Sequence, residues 1–191
     1  MYLDTSGLSL HKRGYRELSN AAPIKETLAA AMVLLTPWKA DRALIDPFCG
    51  SGTIPIEAAM IGLNIAPGHS RSFVSGNWKW IGGKLWNEAK EEAASMVRHD
   101  AVLNVQGYDI DESALKVARI NAKMAGLEDK LHFQKRDVKE LSSKDRYGFI
   151  VTNPPYGERI SDMKSVERLY KDMGKVFSYQ ISFPHKEGSL Q

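Results

Sequence analysis

The sequence predicts an α/β fold built on a mostly parallel, doubly wound sheet. Three observations carry that expectation. Short apolar runs of strand length alternate with longer segments of helical period, the pattern of a parallel sheet covered on both faces. Two of those runs end on a carboxylate, at Asp46 and Asp109. A glycine-bearing turn, Gly50-Ser51-Gly52, joins the first of them to a helix. The 191 residues suffice for one such domain with a sizeable core.

Each element has its own signal. Residues 1–20 are a polar lead-in with a basic cluster, His11, Lys12, Arg13 and Arg16. Asn20 and then Pro23 mark a helix start, with the proline in the first turn, where its missing N–H does no harm. Ile24, Leu28, Met32 and Leu35 recur at helical spacing, and Pro37 ends the run. Ala43-Leu44-Ile45 is a short buried strand stopping at Asp46-Pro47, and a second helix follows over 54–63. Residues 64–82 read as an irregular loop holding Trp78 and Trp80, and 84–102 as a charged amphipathic helix. Val105–Asp109 is the next strand. Asp111-Glu112-Ser113 open a helix with acids at its positive end; it reaches Ala125, and Gly126 fits its C-terminal cap. Leu131-His132-Phe133 is a strand with Asp137 just beyond. Tyr147–Thr152 is another strand, and 165–177 another helix. The expected organisation is a lead-in and helix over 1–36, a core over 37–177 with an insertion at about 64–104, and a tail, 178–191, with room for one short strand at 179–183.

Composition narrows the class. A net charge of +3 and a pI near 8.9 agree with a nucleic-acid substrate without demanding one. The single cysteine, Cys49, excludes an internal disulfide and a zinc cluster, and a reducing cytoplasm is the natural setting. No apolar run approaches the ~18–20 residues of a membrane span, and Met1–Gly7 lacks a signal pattern. The five histidines show no ligand spacing, so no metal is expected. Oligomeric state stays open.

The chemistry gathers at strand ends. Asp46-Pro47-Phe48-Cys49-Gly50-Ser51-Gly52-Thr53 lets the backbone approach a ligand at Gly50 and Gly52, and the following helix offers free N–H groups to an anion. It lacks the third glycine of a dinucleotide site and the lysine of a P-loop. Taken alone, it is also an ordinary tight turn. Asp109, with Ile110 beside it, is placed to take both ribose hydroxyls, or to share a helix cap with Asp111. It lies much further from Asp46 than the roughly 20–30 residues of a compact dinucleotide unit, which makes 64–104 an insertion. Asp137, with Val138, is placed to meet an adenine amino group, or is a loop carboxylate. Asn153-Pro154-Pro155-Tyr156 is a stiff loop, because neither proline donates a backbone hydrogen bond and both resist a helix. It presents an amide, exposed carbonyls and one flat ring to something planar that bears an amino group.

Asp46–Thr53 resembles the first motif of S-adenosylmethionine (SAM)-dependent methyltransferases, and Asn153–Tyr156 the catalytic motif of the NPPY amino-methyltransferases. Leu8–Arg16, Ala22–Glu26, Trp78-Lys79-Trp80 and Asn153–Arg159 resemble the bacterial THUMP-associated RNA methylases. Members of that group are often labelled N6-adenine-specific DNA methylases, yet the characterised ones modify guanine N2 in 23S rRNA. The resemblance implies a Rossmann-like SAM-dependent methyltransferase fold, SAM as cofactor and rRNA as partner. It implies cofactor contacts from Asp46, Phe48, Gly50, Gly52, Thr53, Asp109, Ile110, Asp137, Val138 and Asn153. Catalysis would fall to Asn153, Pro154, Pro155 and Tyr156. The family's THUMP domain and the last strands of its seven-stranded sheet are expected to be missing.

An exocyclic amino nitrogen is a poor nucleophile because its lone pair is delocalised into the ring. The expected remedy is that the Asn153 side-chain oxygen and the Pro154 carbonyl accept its two hydrogens, while Tyr156 stacks on a flipped-out base. DNA adenine-N6 methylation, protein glutamine-N5 methylation and a non-catalytic SAM- or RNA-binding remnant are the alternatives. Lys25 and the basic cluster are expected on a cofactor carboxylate, on RNA phosphates or in solvent. Trp78, Trp80 and Trp86 are expected to form a base-stacking platform or the insertion's own core.

Overall fold

The computed structural model describes residues 2–16, 23–143, 145, 147–156 and 163–180, the last two residues without their side chains. Helix α1 spans Glu26–Leu34, strand β1 Leu44–Asp46 and helix α2 Thr53–Gly62. A 3₁₀ turn at Val74–Asn77 precedes α3, Gly83–Ser95. Then come β2, Val105–Asp109, α4, Glu112–Met124, and β3, Leu131–Lys135. A second 3₁₀ turn, Val138–Glu140, leads towards β4, Phe149–Ile150, and α5 closes the described chain at Met163–Gln180.

The sheet has the order β3-β2-β1-β4. Every pairing is parallel, with Leu44 opposite Val105 on one side and Phe149 on the other. Alternation along the strands divides the core. Leu44, Val105 and Phe133 face the apolar sides of α1, α2 and α4, against Ala29, Val33, Ile56 and Leu115. Ile45, Tyr108 and Ile150 face the other way, towards Leu141 and the Val176 and Phe177 of α5. Helices therefore cover both faces, as the alternating pattern predicts. Among the described residues no helix is long and apolar enough to cross a membrane.

Gly107 matters to this packing. A Cβ there would sit 2.7 Å from the Phe133 ring and 3.0 Å from Cys49 Sγ, both fixed in the core. Gly107→Ala is expected to destabilise the fold by about 1–3 kcal/mol through overpacking. Thermal melting followed by circular dichroism checks this; an unchanged midpoint would mean that the ring swings aside freely.

Several boundaries differ from the sequence expectation. Pro23 precedes α1 instead of occupying its first turn; Lys25 is the N-cap, and Asn20 lies outside the described residues. α1 stops at Leu34 because Thr36 Oγ1 donates to the Val33 carbonyl (2.7 Å), ahead of Pro37. α3 ends at Ser95, not near 102, for a tertiary reason. The Arg98 amide and guanidinium donate to the carbonyls of Leu63 (2.8 Å) and Gly62 (2.7 Å), the open end of α2. β4 is confined to two residues, and Tyr147 sits in a left-handed turn at φ 62°. Tyr179 and Gln180 belong to α5, so no strand begins there, and 181–183 lie outside the described residues.

Two of the basic residues of the lead-in, Arg13 and Arg16, are held inside the fold, whereas Lys12 and the N-cap Lys25 are exposed. Arg13 pairs with buried Glu57 (3.5 Å), which also accepts from the Tyr15 hydroxyl (2.9 Å). Arg16 pairs with buried Glu26 (3.4 Å) and donates to Thr53 Oγ1 and the Ile24 carbonyl (2.8 Å). Further back, buried Arg71 of the insertion donates to the carbonyls of Ser6, Leu8 and Ser9. The lead-in is thus strapped across α1, α2 and the insertion. Glu26 and Glu57, acids inside otherwise apolar helices, were the sequence signal that Arg13 and Arg16 had buried partners.

Candidate functional site

The sheet order places a switch point at β1: the chain proceeds to β2 and β3 on one side and returns to β4 on the other. In open α/β sheets the crevice beyond the carboxyl ends of the strands at such a point is where ligands bind. A pocket lies there, lined by Pro23 and Ile24 ahead of α1, Asp46, Phe48 and Gly50 of the turn, and Asn153. Cys49, Ser51, Thr53 and Ile54 complete its wall.

The turn after β1 is held from several directions. The Cys49 amide donates to the Tyr108 carbonyl (2.9 Å), and Gly50 N–H donates to Asp109 Oδ2 (2.9 Å). Asn121, fully buried on α4, donates to the Ser51 carbonyl (3.0 Å). Gly50 has φ 53°, and a Cβ on it would meet nothing within 4 Å. Gly52 has φ 81°, and its Cβ would press on Ala118 and the Phe133 ring at 3.0–3.2 Å. The two glycines thus have different work: Gly50 leaves space open towards the pocket, and Gly52 lets the turn lie flat on α4 and β3. Gly52 is also the N-cap of α2 and offers no side chain, so the positive helix end faces the pocket uncapped.

Asp46 is 1% exposed. It accepts from Thr152 Oγ1 (2.6 Å) and from the Phe48 amide (3.1 Å). Burial raises its pKa to about 7; the two hydrogen bonds oppose the rise and the Asp109 carboxylate adds to it. Thr152 thereby ties the end of β4 to the end of β1, directly before Asn153. Burial, with Asp46 and Asp109 close by, pushes the Cys49 thiol well above its ordinary range, so Cys49 is a packed small residue rather than a nucleophile.

The structure brings Asp46, Phe48, Gly50, Thr53 and Asn153 to one wall. The remaining candidates lie off it. Asp109 stands behind the wall, its other oxygen accepting from the Asp111 amide (3.0 Å); Asp111 itself caps α4 through Ser113. Asp137 caps its own 3₁₀ turn through the Lys139 amide (2.9 Å), Val138 is buried, and Ile110 is 65% exposed. Pro154 and Pro155 are half-buried and Tyr156 is 60% exposed, so the ring is free to meet a large ligand. Sequence reasoning missed Thr152, Asn121 and the Pro23-Ile24 edge. The hydroxyl next to Asn153 was a legible signal; the other contacts are set by tertiary packing.

The chain matches the family described as UPF0020, RMKL-like, methyltransferase domain, over residues 13–183. A Bacillus subtilis (strain 168) protein named "Putative RNA methyltransferase YpsC" is 53% identical over 175 residues, which are 92% of this chain and 46% of that one. A solved structure named "predicted N6-adenine-specific DNA methylase" from Listeria monocytogenes is 52% identical with a TM-score of 0.87, covering 92% of this chain and 46% of its own. A second, SMU.472, "a putative methyltransferase complexed with SAH", is 44% identical with a TM-score of 0.88, covering 93% and 46%. The chain spans about half the length of these relatives.

Proposed function

The chain belongs to the UPF0020 family by its RMKL-like methyltransferase domain, with a Rossmann-like sheet, and we propose that it methylates an exocyclic amino group of an RNA base, guanine N2 in 23S rRNA, with SAM as donor. The observation that carries this reading is the meeting of Asp46 and Asn153 in one pocket at the switch point. The pocket's chemistry fits the donor. A buried carboxylate at Asp46 suits a cationic group, and the uncapped N-terminus of α2 suits a carboxylate. A methionine moiety carries both. Gly50 leaves room for it. When bound, SAM supplies a methyl group activated by a sulfonium.

The residues of this chain do the rest. Asp46, Phe48, Gly50 and Thr53 orient the methionine end. Asp109 acts through Gly50, fixing the turn from behind. The Asn153 amide oxygen and the Pro154 carbonyl would accept the two amino hydrogens, which returns lone-pair density to the nitrogen; as it takes the methyl group the methyl–sulfur bond breaks, and the displaced N–H proton passes to solvent water. Pro154 and Pro155 hold that geometry stiff. Tyr156 stacks on the flipped base.

RNA is the substrate named for the Bacillus subtilis relative, and DNA for the Listeria structure. A tritiated-methyl transfer assay on rRNA, tRNA, DNA and protein, followed by nucleoside analysis, decides between them. N2-methylguanosine in rRNA is the expected product. N6-methyladenine in DNA or N5-methylglutamine in protein overturns the reading. Saturable SAM binding by calorimetry with no transfer to any of the four supports the remnant.

A further inference from the structure

The pocket leaves one aromatic feature of the insertion unused. Trp78 and Trp80 stack with ring centroids 5.2 Å apart and planes 22° from parallel. Trp80 is 75% exposed, and Trp78 lies half-buried against it. Trp86 does the opposite: it meets Phe73 edge-on at 5.4 Å and covers Gly76. Trp86 packs partly buried within the insertion, while the Trp78–Trp80 pair holds the large apolar ring of Trp80 in water.

That ring is preorganised. The Trp78 amide donates to the Ser75 carbonyl (3.2 Å), and the amides of Ile81 (3.1 Å) and Gly82 (3.3 Å) return to the Trp78 carbonyl. The pair thus sits in a closed turn whose conformation is already fixed. The turn is anchored in turn to the lead-in, where the Ser75 amide donates to the Thr5 carbonyl (3.1 Å). From 70 to 87 the sequence carries Arg71, Lys79 and Lys84 and no acid. Lys79 lies between the two rings in sequence and is exposed, and the Lys84 side chain, 89% exposed, pairs with the exposed Glu88 (3.7 Å). The carboxylate of Asp4 in the neighbouring lead-in is turned onto its own Ser6 and Gly7 amides (3.0 Å each).

We propose that the Trp78–Trp80 stack is a docking platform for an unpaired base of the RNA substrate, with Lys79 and Lys84 meeting the adjoining phosphates. The proposal rests on the RNA reading above and adds where the RNA is held outside the catalytic pocket. A parallel indole pair with one open face is extended by a third flat ring, and every base has such a face. Lysines beside the ring add attraction for the backbone that does not depend on sequence. An apolar peptide would find no comparable use for two lysines at the rim.

Fluorescence anisotropy with a labelled single-stranded rRNA fragment tests this on the full chain. Trp80→Ala is expected to weaken RNA binding about tenfold or more, and Trp80→Phe, which keeps a stacking ring, much less. SAM binding by calorimetry is expected to be the same in all three proteins, which shows that the fold and the pocket are intact. Equal RNA affinity for wild type and Trp80→Ala, with SAM binding unchanged, overturns the platform and leaves the RNA reading standing. A wild-type protein that binds SAM and methylates DNA or protein, but does not bind RNA, overturns both. Self-association that is lost in Trp80→Ala without a change in RNA affinity gives the face to a second copy and overturns the platform alone.

Discussion

Asn153→Ala is expected to lower kcat for methyl transfer by about 10²–10³-fold while changing SAM affinity by less than about tenfold. The magnitude is that of removing one preorganised electrostatic contact to a group whose charge changes in the transition state. The selectivity follows from geometry. Asn153 contributes one side of the pocket, whereas the turn after β1 is held independently by Tyr108, Asp109 and Asn121. Thr152 keeps its bond to Asp46 whatever occupies position 153, so the end of β4 stays in place. Asn153→Asp retains an acceptor oxygen and is expected to lose less. Single-turnover methyl transfer, with calorimetry of SAM binding on the same preparations, separates the two effects. An alanine variant that transfers at the wild-type rate would remove Asn153 from the chemistry; one that fails to bind SAM would make it a cofactor residue alone.

What the sequence revealed of this arrangement was local. Leu44–Asp46 and Val105–Asp109 were legible as strands because short apolar runs bounded by acids and turn residues have few other uses. α4 was legible at both ends from Asp111 and Gly126, a side-chain cap and a left-handed glycine. Asp46, Phe48, Gly50, Thr53 and Asn153 were joined into one site by the resemblance of their two motifs, and the parallel pairing of β1 with β4 brings those motifs side by side. What escaped was decided by residues far apart in the chain. α3 stops early because Arg98 is needed at the end of α2. Arg13 and Arg16 look like surface charge until Glu57 and Glu26 turn out to be buried beside them. Asp137, which the sequence places either at an adenine amino group or as a loop carboxylate, has one oxygen on the Lys139 amide two residues on, a local bond the sequence does not single out.

Asp46 gives the second large effect, and its sign is unusual for a carboxylate. Its pKa in the folded chain is about 7, above the ordinary 3.8, because burial penalises the charged form more than Thr152 and Phe48 favour it. Between those values the folded state keeps a proton that the unfolded chain has lost. Stability therefore falls as pH rises from about 4 to 7, by on the order of 4 kcal/mol once both states are ionised. Glu57, also raised by burial, acts in the same direction. Asp46→Asn keeps an acceptor for Thr152 but cannot ionise, so at pH 8 the ligand-free variant is expected to melt several degrees above wild type. Its stability should also change less between pH 4 and 7. The same substitution is expected to weaken SAM binding and to make it nearly independent of pH. In the wild type, affinity should rise through pH 7 as the carboxylate forms to meet a cationic ligand, with a proton released on binding. Melting curves across this range, and calorimetry in buffers of different ionisation enthalpy, check the two halves separately. A ligand-free wild type that grows more stable from pH 5 to 8 would show that Asp46 is already ionised in the folded chain, and the coupling between its proton and the cofactor would fall with it.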